Sequence, residues 1–277
     1  MSSLPVGSLE QEFANTYVMV KILKIPSGDS ELLELYRNIV RYNNSQNSIN
    51  EKQFVANTDV FKRVQMEFEA KGFLVCIKQS DKYQFSNTYK TSTALLDRNS
   101  TFIKKFGLDD LKKVKDFLVD LEKLLQVCVA FENGPLAAVQ NKSKLLKQNS
   151  SQNKEVVEFI RNPQISWNDL VSLYLLYLRA EKEKKKTDGK MPNPFYLIFC
   201  FAKYECGGDA SKIASILSDE AIIDSIVKKY TMTLKSYYKK WVSANEGKEY
   251  NDMIKSPVEM SILDESKGMV DDFLAMQ

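Results

Sequence analysis

A stripe of apolar residues repeats at helical spacing through the middle of the chain. Its members lie one, three or four positions apart: Leu108, Leu111, Val114, Phe117, Leu118, Leu121, Leu124, Leu125 and Cys128. Residues at this spacing share one face of an α-helix, so we expect a single long helix that Gly134-Pro135 stops. Such a helix has to bury its apolar face against other helices, which favours a mainly α-helical fold.

Similar periodicity predicts further helices on both sides of this stripe. Phe61, Val64 and Phe68 share one face of a segment over 58–71, which Asn57 can cap and Gly72 can end. The other segments with a helical pattern are 32–42, 154–161, 166–184, 193–206, 209–218, 219–230 and 231–245.

Short β segments are expected only near the N-terminus. Residues 16–25 (TYVMVKILKI) are rich in β-branched residues and predict a strand. The segments FLVCIKQ and KYQFS alternate around Ser80-Asp81 and predict a small hairpin. The expected fold class is therefore mainly α (α+β), with a small N-terminal β element among helices followed by an α-helical C-terminal half.

The same patterns suggest three parts of the chain. Residues 1–100 form a mixed α/β region, residues 101–250 a helical domain, and residues 251–277 a tail that is disordered or docks on a partner. The run EKEKKKTDGK at 181–190 is interpreted as a solvated helix end and loop.

Composition excludes many catalytic classes. The 277 residues contain no histidine, which removes Ser-His-Asp and Cys-His catalysis and histidine-ligated zinc. The four cysteines show no CxxC spacing, and neither a Walker A sequence nor GxGxxG is present. We therefore expect no cofactor and no metal site, and we assign no catalytic residue.

The expected location is the cytoplasm, with no membrane association. The N-terminal residues MSSLPVGSLEQEF lack a basic region followed by an apolar core, and no run of about 18 apolar residues occurs. The unpaired spacing of the cysteines is typical of reduced thiols.

A polar segment at 43–53 (NNSQNSINEKQ) is the first candidate site. Asn and Gln side chains can pair with adenine or contact phosphate and sugar oxygens, and basic residues nearby can supply charge. The alternative is that Asn43, Asn50 and Asn57 only cap helices and form turns.

The stretch RNIVRYNNSQNSINEKQFVANTDVFKRVQMEFE (37–69) resembles the abortive-infection phage-resistance (AIPR) family. The matching positions are Asn44, Gln46, Asn47, Ala56, Asn57, Thr58, Gln65, Glu67, Phe68 and Glu69. The stretch LEKLLQVCVAFENGPLAAVQNKSKLL (121–146) is similar to a later helix of the family with its Gly-Pro turn. Members commonly carry a nuclease-like domain near the N-terminus that has no counterpart here, so the resemblance implies a C-terminal portion or a shortened relative.

Two further interpretations concern DNA. Helices followed by a hairpin suit a winged helix, which would place Lys62, Arg63 and Gln65 near DNA, although a net charge of +3 is low for a DNA-binding domain. A metal-dependent nuclease would need carboxylates on strands. The Glu-x-Lys strings at 183–185 and 246–248 are predicted in helix or loop, where solvated charge explains them better.

Each of two aromatic segments has one interpretation as a nucleic-acid contact and another as an ordinary part of the fold. The rings of Tyr174, Tyr177 and Phe195 could stack bases, but a buried pair of helices explains them better. The segment 228–241 combines aromatic residues with Lys235, Lys239 and Lys240, which could bind phosphate or simply lie on a solvated helix face.

Together with the resemblance, these patterns favour a bacterial antiphage-defence protein that senses nucleic acid, DNA or RNA, or regulates without catalysis. The alternative is an interaction subunit whose helical C-terminal half docks a catalytic protein partner, and a metal-dependent nuclease is third. The candidate nucleic-acid interface comprises Arg41, Asn44, Gln46, Asn47, Lys52, Asn57, Arg63, Gln65, Lys235, Lys239 and Lys240.

Overall fold

The computed structural model describes residues 58–77, 81, 85, 101–147, 149–187 and 191–277. All of them belong to one compact unit that spans Asn50–Gln277. The predicted strand at 16–25 and the predicted helix at 32–42 lie outside the described residues. The boundaries expected at residues 100 and 250 stay predictions.

The described elements include ten α-helices, two short strands and several tight turns, which confirms the mainly α fold with a small β element. The helices are α1 (Asp59–Glu69), α2 (Leu121–Asn133), α3 (Pro135–Gln140), α4 (Ser151–Arg161), α5 (Trp167–Lys186), α6 (Pro194–Cys200), α7 (Ile213–Ile216), α8 (Glu220–Ala244), α9 (Tyr250–Met253) and α10 (Met260–Ala275). The strands are β1 (Leu74–Cys76) and β2 (Leu118–Asp120). Residues 101–105 are also helical.

Helix α1 forms where its apolar spacing predicts. Phe61, Val64 and Phe68 are fully buried on one face. Thr58, rather than Asn57, is the N-cap residue, and its side chain makes no capping hydrogen bond. The turn after the helix passes through Gly72 at φ 86°, a conformation that glycine adopts without strain.

The predicted hairpin is wrong. Strand β1 instead pairs in parallel with β2, and Leu74, Val75 and Cys76 lie opposite Leu118, Val119 and Asp120. Phe85, expected in the second hairpin strand, is helical. The winged-helix interpretation, which needs that hairpin, loses its structural basis here.

The single long helix expected over 108–128 is also wrong, because a 3₁₀ turn and strand β2 precede α2. The Asp116 carboxylate accepts hydrogen bonds from the backbone N–H groups of Lys112 and Lys113 at 3.1 and 2.9 Å and so closes a 3₁₀ turn over Val114–Phe117. Strand β2 follows, and the side chain of Asp120 then caps α2. The apolar spacing of the sequence continues through the 3₁₀ turn, strand β2 and helix α2.

The C-terminal half packs around α5, α6 and α8. The rings of Tyr174, Tyr177 and Phe195 are buried, which confirms the core interpretation of the first aromatic segment. Helix α8 runs unbroken where two helices were expected, and Tyr230, Tyr237 and Trp241 lie in the core. Helix α10 packs along α8.

Between α6 and α7 the chain forms a six-residue π-helical segment, Phe201–Cys206, that ends at Gly207. In the part of the chain that the structure describes, no helix is both long and apolar enough to cross a bilayer.

Candidate nucleic-acid interface

The sequence-predicted interface divides into residues that the structure describes and residues that it does not. Arg41, Asn44, Gln46, Asn47, Lys52 and Asn57 lie outside the described residues, so their role stays a prediction. Arg63, Gln65, Lys235, Lys239 and Lys240 are described.

Two of the five described candidates make contacts between elements of the fold. The side-chain amide of Gln65 donates from Nε2 to the carbonyl oxygen of Val75 at 3.0 Å, which ties α1 to β1. The ammonium group of Lys240 pairs with the Glu265 carboxylate at 2.6 Å, which ties α8 to α10. These contacts give both side chains a structural role.

Lys235 and Lys239 lie on the exposed face of α8, together with Lys228. The spacing of seven and four residues places them along one side of the helix, roughly 10 and 6 Å apart. Among the aromatic residues of the same segment, Tyr230, Tyr237 and Trp241 are buried, and the partly buried Tyr238 packs edge-on against the ring of Tyr250. The lysines therefore form a charged line without an aromatic platform.

Arg63 lies at a concave surface between α1 and the connection from α4 to α5. The cleft, which we call the Arg63 cleft, has a volume of about 610 Å³. Its lining residues are Asp59, Val60, Arg63, Ile160, Arg161, Asn162, Pro163, Ile165, Ser166 and Trp167. Of these residues, the sequence analysis identified Arg63 as a candidate. It did not identify Arg161 or Trp167.

The guanidinium carbon of Arg63 lies 5.5 Å from the centroid of the Trp167 ring. This is a cation–π distance, and it holds the arginine over an aromatic face without using its N–H donors. The Arg63 side chain is 70% exposed, and its Nε lies 3.9 Å from the Glu67 carboxylate, so this ion pair is weak. Most of the guanidinium donors remain accessible from solvent.

The opposite wall of the cleft is formed by a turn whose shape follows from its sequence. Helix α4 ends at Arg161, and the side-chain oxygen of Asn162 accepts a hydrogen bond from the Gln164 N–H at 3.0 Å. Ser166 and Asp169 then form a capping box that begins α5 at Trp167. The position of the Trp167 ring is thus set by a capped helix start.

The charges of the Arg63 cleft favour an anionic ligand. Arg161 is exposed at the end of α4 and makes no ion pair within the described ranges. Asp59 contributes one negative charge to the lining, against two arginines. Guanidinium groups bind phosphate through paired N–H donors, and Ile165 and Pro163 add an apolar wall beside the Trp167 ring. The arrangement suits a phosphate with a planar group next to it.

A metal-dependent nuclease gains no support from the part of the chain that is described. Among those residues, no group of three or more acidic or cysteine side chains lies close enough to hold a metal ion. Glu183 is in α5, where it pairs with Arg179 and with Lys186. The Glu246-Gly247-Lys248 string lies in the loop after α8.

Comparison with known proteins gives one match. The family model described as "AIPR protein" matches residues 7–257. No curated protein and no solved structure matches the chain. The family match covers most of the chain and includes both stretches on which the resemblance was based, so this protein belongs to the AIPR family, a family associated with abortive-infection defence against phage.

Proposed function

We propose that this AIPR-family protein acts in antiphage defence by binding single-stranded nucleic acid in the Arg63 cleft, as a sensing or regulatory module. The observation that carries the proposal is the Arg63 guanidinium stacked on the Trp167 ring, with a second accessible arginine, Arg161, in the same cleft. This joins a sequence-predicted candidate to two residues that sequence reasoning did not identify.

Single strands suit this cleft better than duplex DNA. In a single strand the bases are free to leave the stack and contact an aromatic or apolar surface, and a base that stacks on an aromatic ring gains about 1–3 kcal/mol. The Trp167 ring edge, Ile165 and Pro163 provide that surface. Arg63 and Arg161 provide the phosphate contacts, which are independent of base sequence.

The line of Lys228, Lys235 and Lys239 on α8 is not required by this proposal. Three exposed lysines on one helix face attract any polyanion, and the binding they give is weak and sensitive to salt. Charge reversal at Lys235 should therefore weaken binding less than Arg161→Glu does.

The test is fluorescence anisotropy with labelled single-stranded DNA, duplex DNA and RNA, at two salt concentrations. We expect the single strands to bind more tightly than the duplex, and Arg161→Glu to weaken binding by roughly tenfold or more. Lys255→Glu makes the same charge change at an exposed position that does not line the cleft and should bind like the unaltered protein. Equal binding by Arg161→Glu and Lys255→Glu would show that the cleft is not the site.

The alternative of a protein-interaction subunit is favoured by one feature. Three apolar side chains repeat at helical spacing on α10 and just after it: Met269 is 55% exposed, Phe273 48% and Met276 85%. Exposed apolar stripes of this kind often mark protein contacts. Nothing in the described residues identifies what would cover this stripe, so nucleic-acid binding is the function proposed.

A further inference from the structure

A second cleft, distinct from the Arg63 cleft, lies between α2, α5 and the start of α6. Its volume is about 340 Å³, and we call it the Lys123 cleft. The polar residues that line it are Lys123, Lys184, Lys185, Glu181, Asn193 and Tyr177. Three lysines and one glutamate give this lining a net positive charge.

Lys123 is unusual because it is a half-buried ammonium group that pairs with no carboxylate in the described part of the chain. Its Nζ lies 5.1 Å from the ring centroid of Phe195 and 5.9 Å from that of Tyr177. Within the described residues no carboxylate is at ion-pair distance from it. Burial lowers the pKa of Lys123 and the positive charge of Lys142 adds to this effect, while the negative charges of Glu181, Asp120 and Glu122 offset it only in part. A bound anion would relieve both effects.

The carboxylate in the cleft is already engaged. The Tyr177 hydroxyl donates a hydrogen bond to Glu181, and this contact draws part of the negative charge away from the lysines. Lys184 donates to the Tyr250 hydroxyl at 3.3 Å and lies 5.5 Å from the centroid of that ring. These contacts hold the Lys184 side chain without neutralising it.

Asn193 adds neutral donors to the same cleft. Its side-chain oxygen accepts a hydrogen bond from the Phe195 N–H at 3.1 Å and so caps α6. That bond orients the amide, and its Nδ2 hydrogens have no acceptor among the described residues. The cleft therefore combines ammonium donors from two helices with an oriented amide.

We propose that the Lys123 cleft binds a terminal phosphate group, supplied either by a small free ligand such as pyrophosphate or a nucleoside diphosphate or by the 5′ end of a nucleic-acid strand. A phosphate group offers several acceptor oxygens and up to two negative charges, which match several converging lysines. The volume lies at the lower end of the range for small-molecule sites. This site is separate from the Arg63 cleft and does not depend on the proposed function.

The experiment is isothermal titration of the whole chain with inorganic phosphate, pyrophosphate and ADP. A short oligonucleotide with a 5′-phosphate, and the same oligonucleotide without it, form a second arm. Lys123→Gln and Lys185→Gln are the test variants. Lys255→Gln is the matched control because Lys255 is exposed and lies in neither cleft.

We expect at least one phosphate probe to bind, and each test variant to weaken binding by roughly tenfold or more. Lys255→Gln and Arg161→Glu should leave it unchanged. Tighter binding of pyrophosphate or ADP identifies a free ligand as the source of the phosphate. Tighter binding that requires the 5′-phosphate of the oligonucleotide identifies a strand end instead, and both results support the site.

The proposal is overturned if no probe binds at concentrations up to about 10 mM, or if both test variants bind like the unaltered protein. Lys185 is exposed, so its substitution leaves the core intact even if Lys123→Gln lowers the stability of the fold. Loss of nucleic-acid binding in Arg161→Glu, with phosphate binding retained, would separate the two clefts.

Discussion

Removing the carboxylate of Asp169 should destabilise this protein more than an ordinary cap substitution would. Asp169 is 3% exposed. One of its oxygens accepts hydrogen bonds from the backbone N–H and the hydroxyl of Ser166, at 2.8 and 2.5 Å. The other accepts from the backbone N–H of Ala214 at 2.7 Å. The residue therefore both begins α5 and connects it to α7.

The expected magnitude follows from these three contacts. A hydrogen bond to a charged acceptor contributes about 1.5–3 kcal/mol, and water entering at the helix start would offset part of the sum. We expect Asp169→Ala to lower the free energy of unfolding by about 3–5 kcal/mol. Ser166→Ala removes the reciprocal cap and leaves the bond from Ala214, so it should lower that free energy by about 1 kcal/mol.

The assay is urea unfolding followed by circular dichroism, with both single variants and the double variant. The double variant should lose less than the sum of the two single losses, because both single variants remove the Ser166–Asp169 side-chain hydrogen bond, whereas the cap from Ser166 to the backbone N–H of residue 169 is lost only with Ser166. Equal losses for the two single variants would refute the role given to the Ala214 contact.

Two further predictions concern backbone and charge. Gly134→Ala should lower the free energy of unfolding by about 1–3 kcal/mol, because Gly134 has φ 88° and ψ 172°, a conformation that strains a residue with a side chain. The control is Gly268→Ala, which lies within α10 with open space around it and should be neutral or stabilising in the same urea assay. Burial alone would raise the pKa of Glu205, but hydrogen bonds from Lys229 and Tyr230 outweigh it and hold that pKa below its usual 4.5. The stability that this gives is present above about pH 4.5 and is lost as pH falls through the lower, folded-state pKa. Glu205→Gln should therefore flatten the pH dependence of the unfolding midpoint in this acidic range. An unchanged profile would contradict the role given to Glu205.

Local periodicity predicted those helices whose ends carry a clear signal. Helix α1 has buried residues at positions 61, 64 and 68 and a glycine at 72, and it forms where expected. Helix α5 begins one residue after its predicted start, because Ser166 and Asp169 form a capping box. In both cases the information lies within a few residues along the chain.

The errors arose where the fold depends on contacts distant in sequence. Strand β1 pairs with β2 across 44 residues, in parallel, and no local pattern distinguishes this from a hairpin. Helix α8 was predicted as two helices that meet between Tyr230 and Thr231, whereas the structure shows one unbroken helix.

The candidate site was predictable only in part for the same reason. Arg63 was identified from its neighbours in the sequence, but Arg161 and Trp167 join it only through tertiary packing. The Lys123 cleft did leave a local signal. Lys123 is the single lysine of α2 and lies between the buried residues Leu121 and Leu124, and such a residue is worth examining as a buried cation.

The most direct test of binding in the Arg63 cleft uses the two tryptophans of the chain. Trp241 is 1% exposed in the core, whereas Trp167 lies partly exposed in the cleft. Titration with an unlabelled single-stranded oligonucleotide should quench the fluorescence of Trp167, and Trp167→Phe should abolish the quenching. If anisotropy shows binding while tryptophan fluorescence stays constant, or if no single strand binds at low salt, the account of this cleft is wrong.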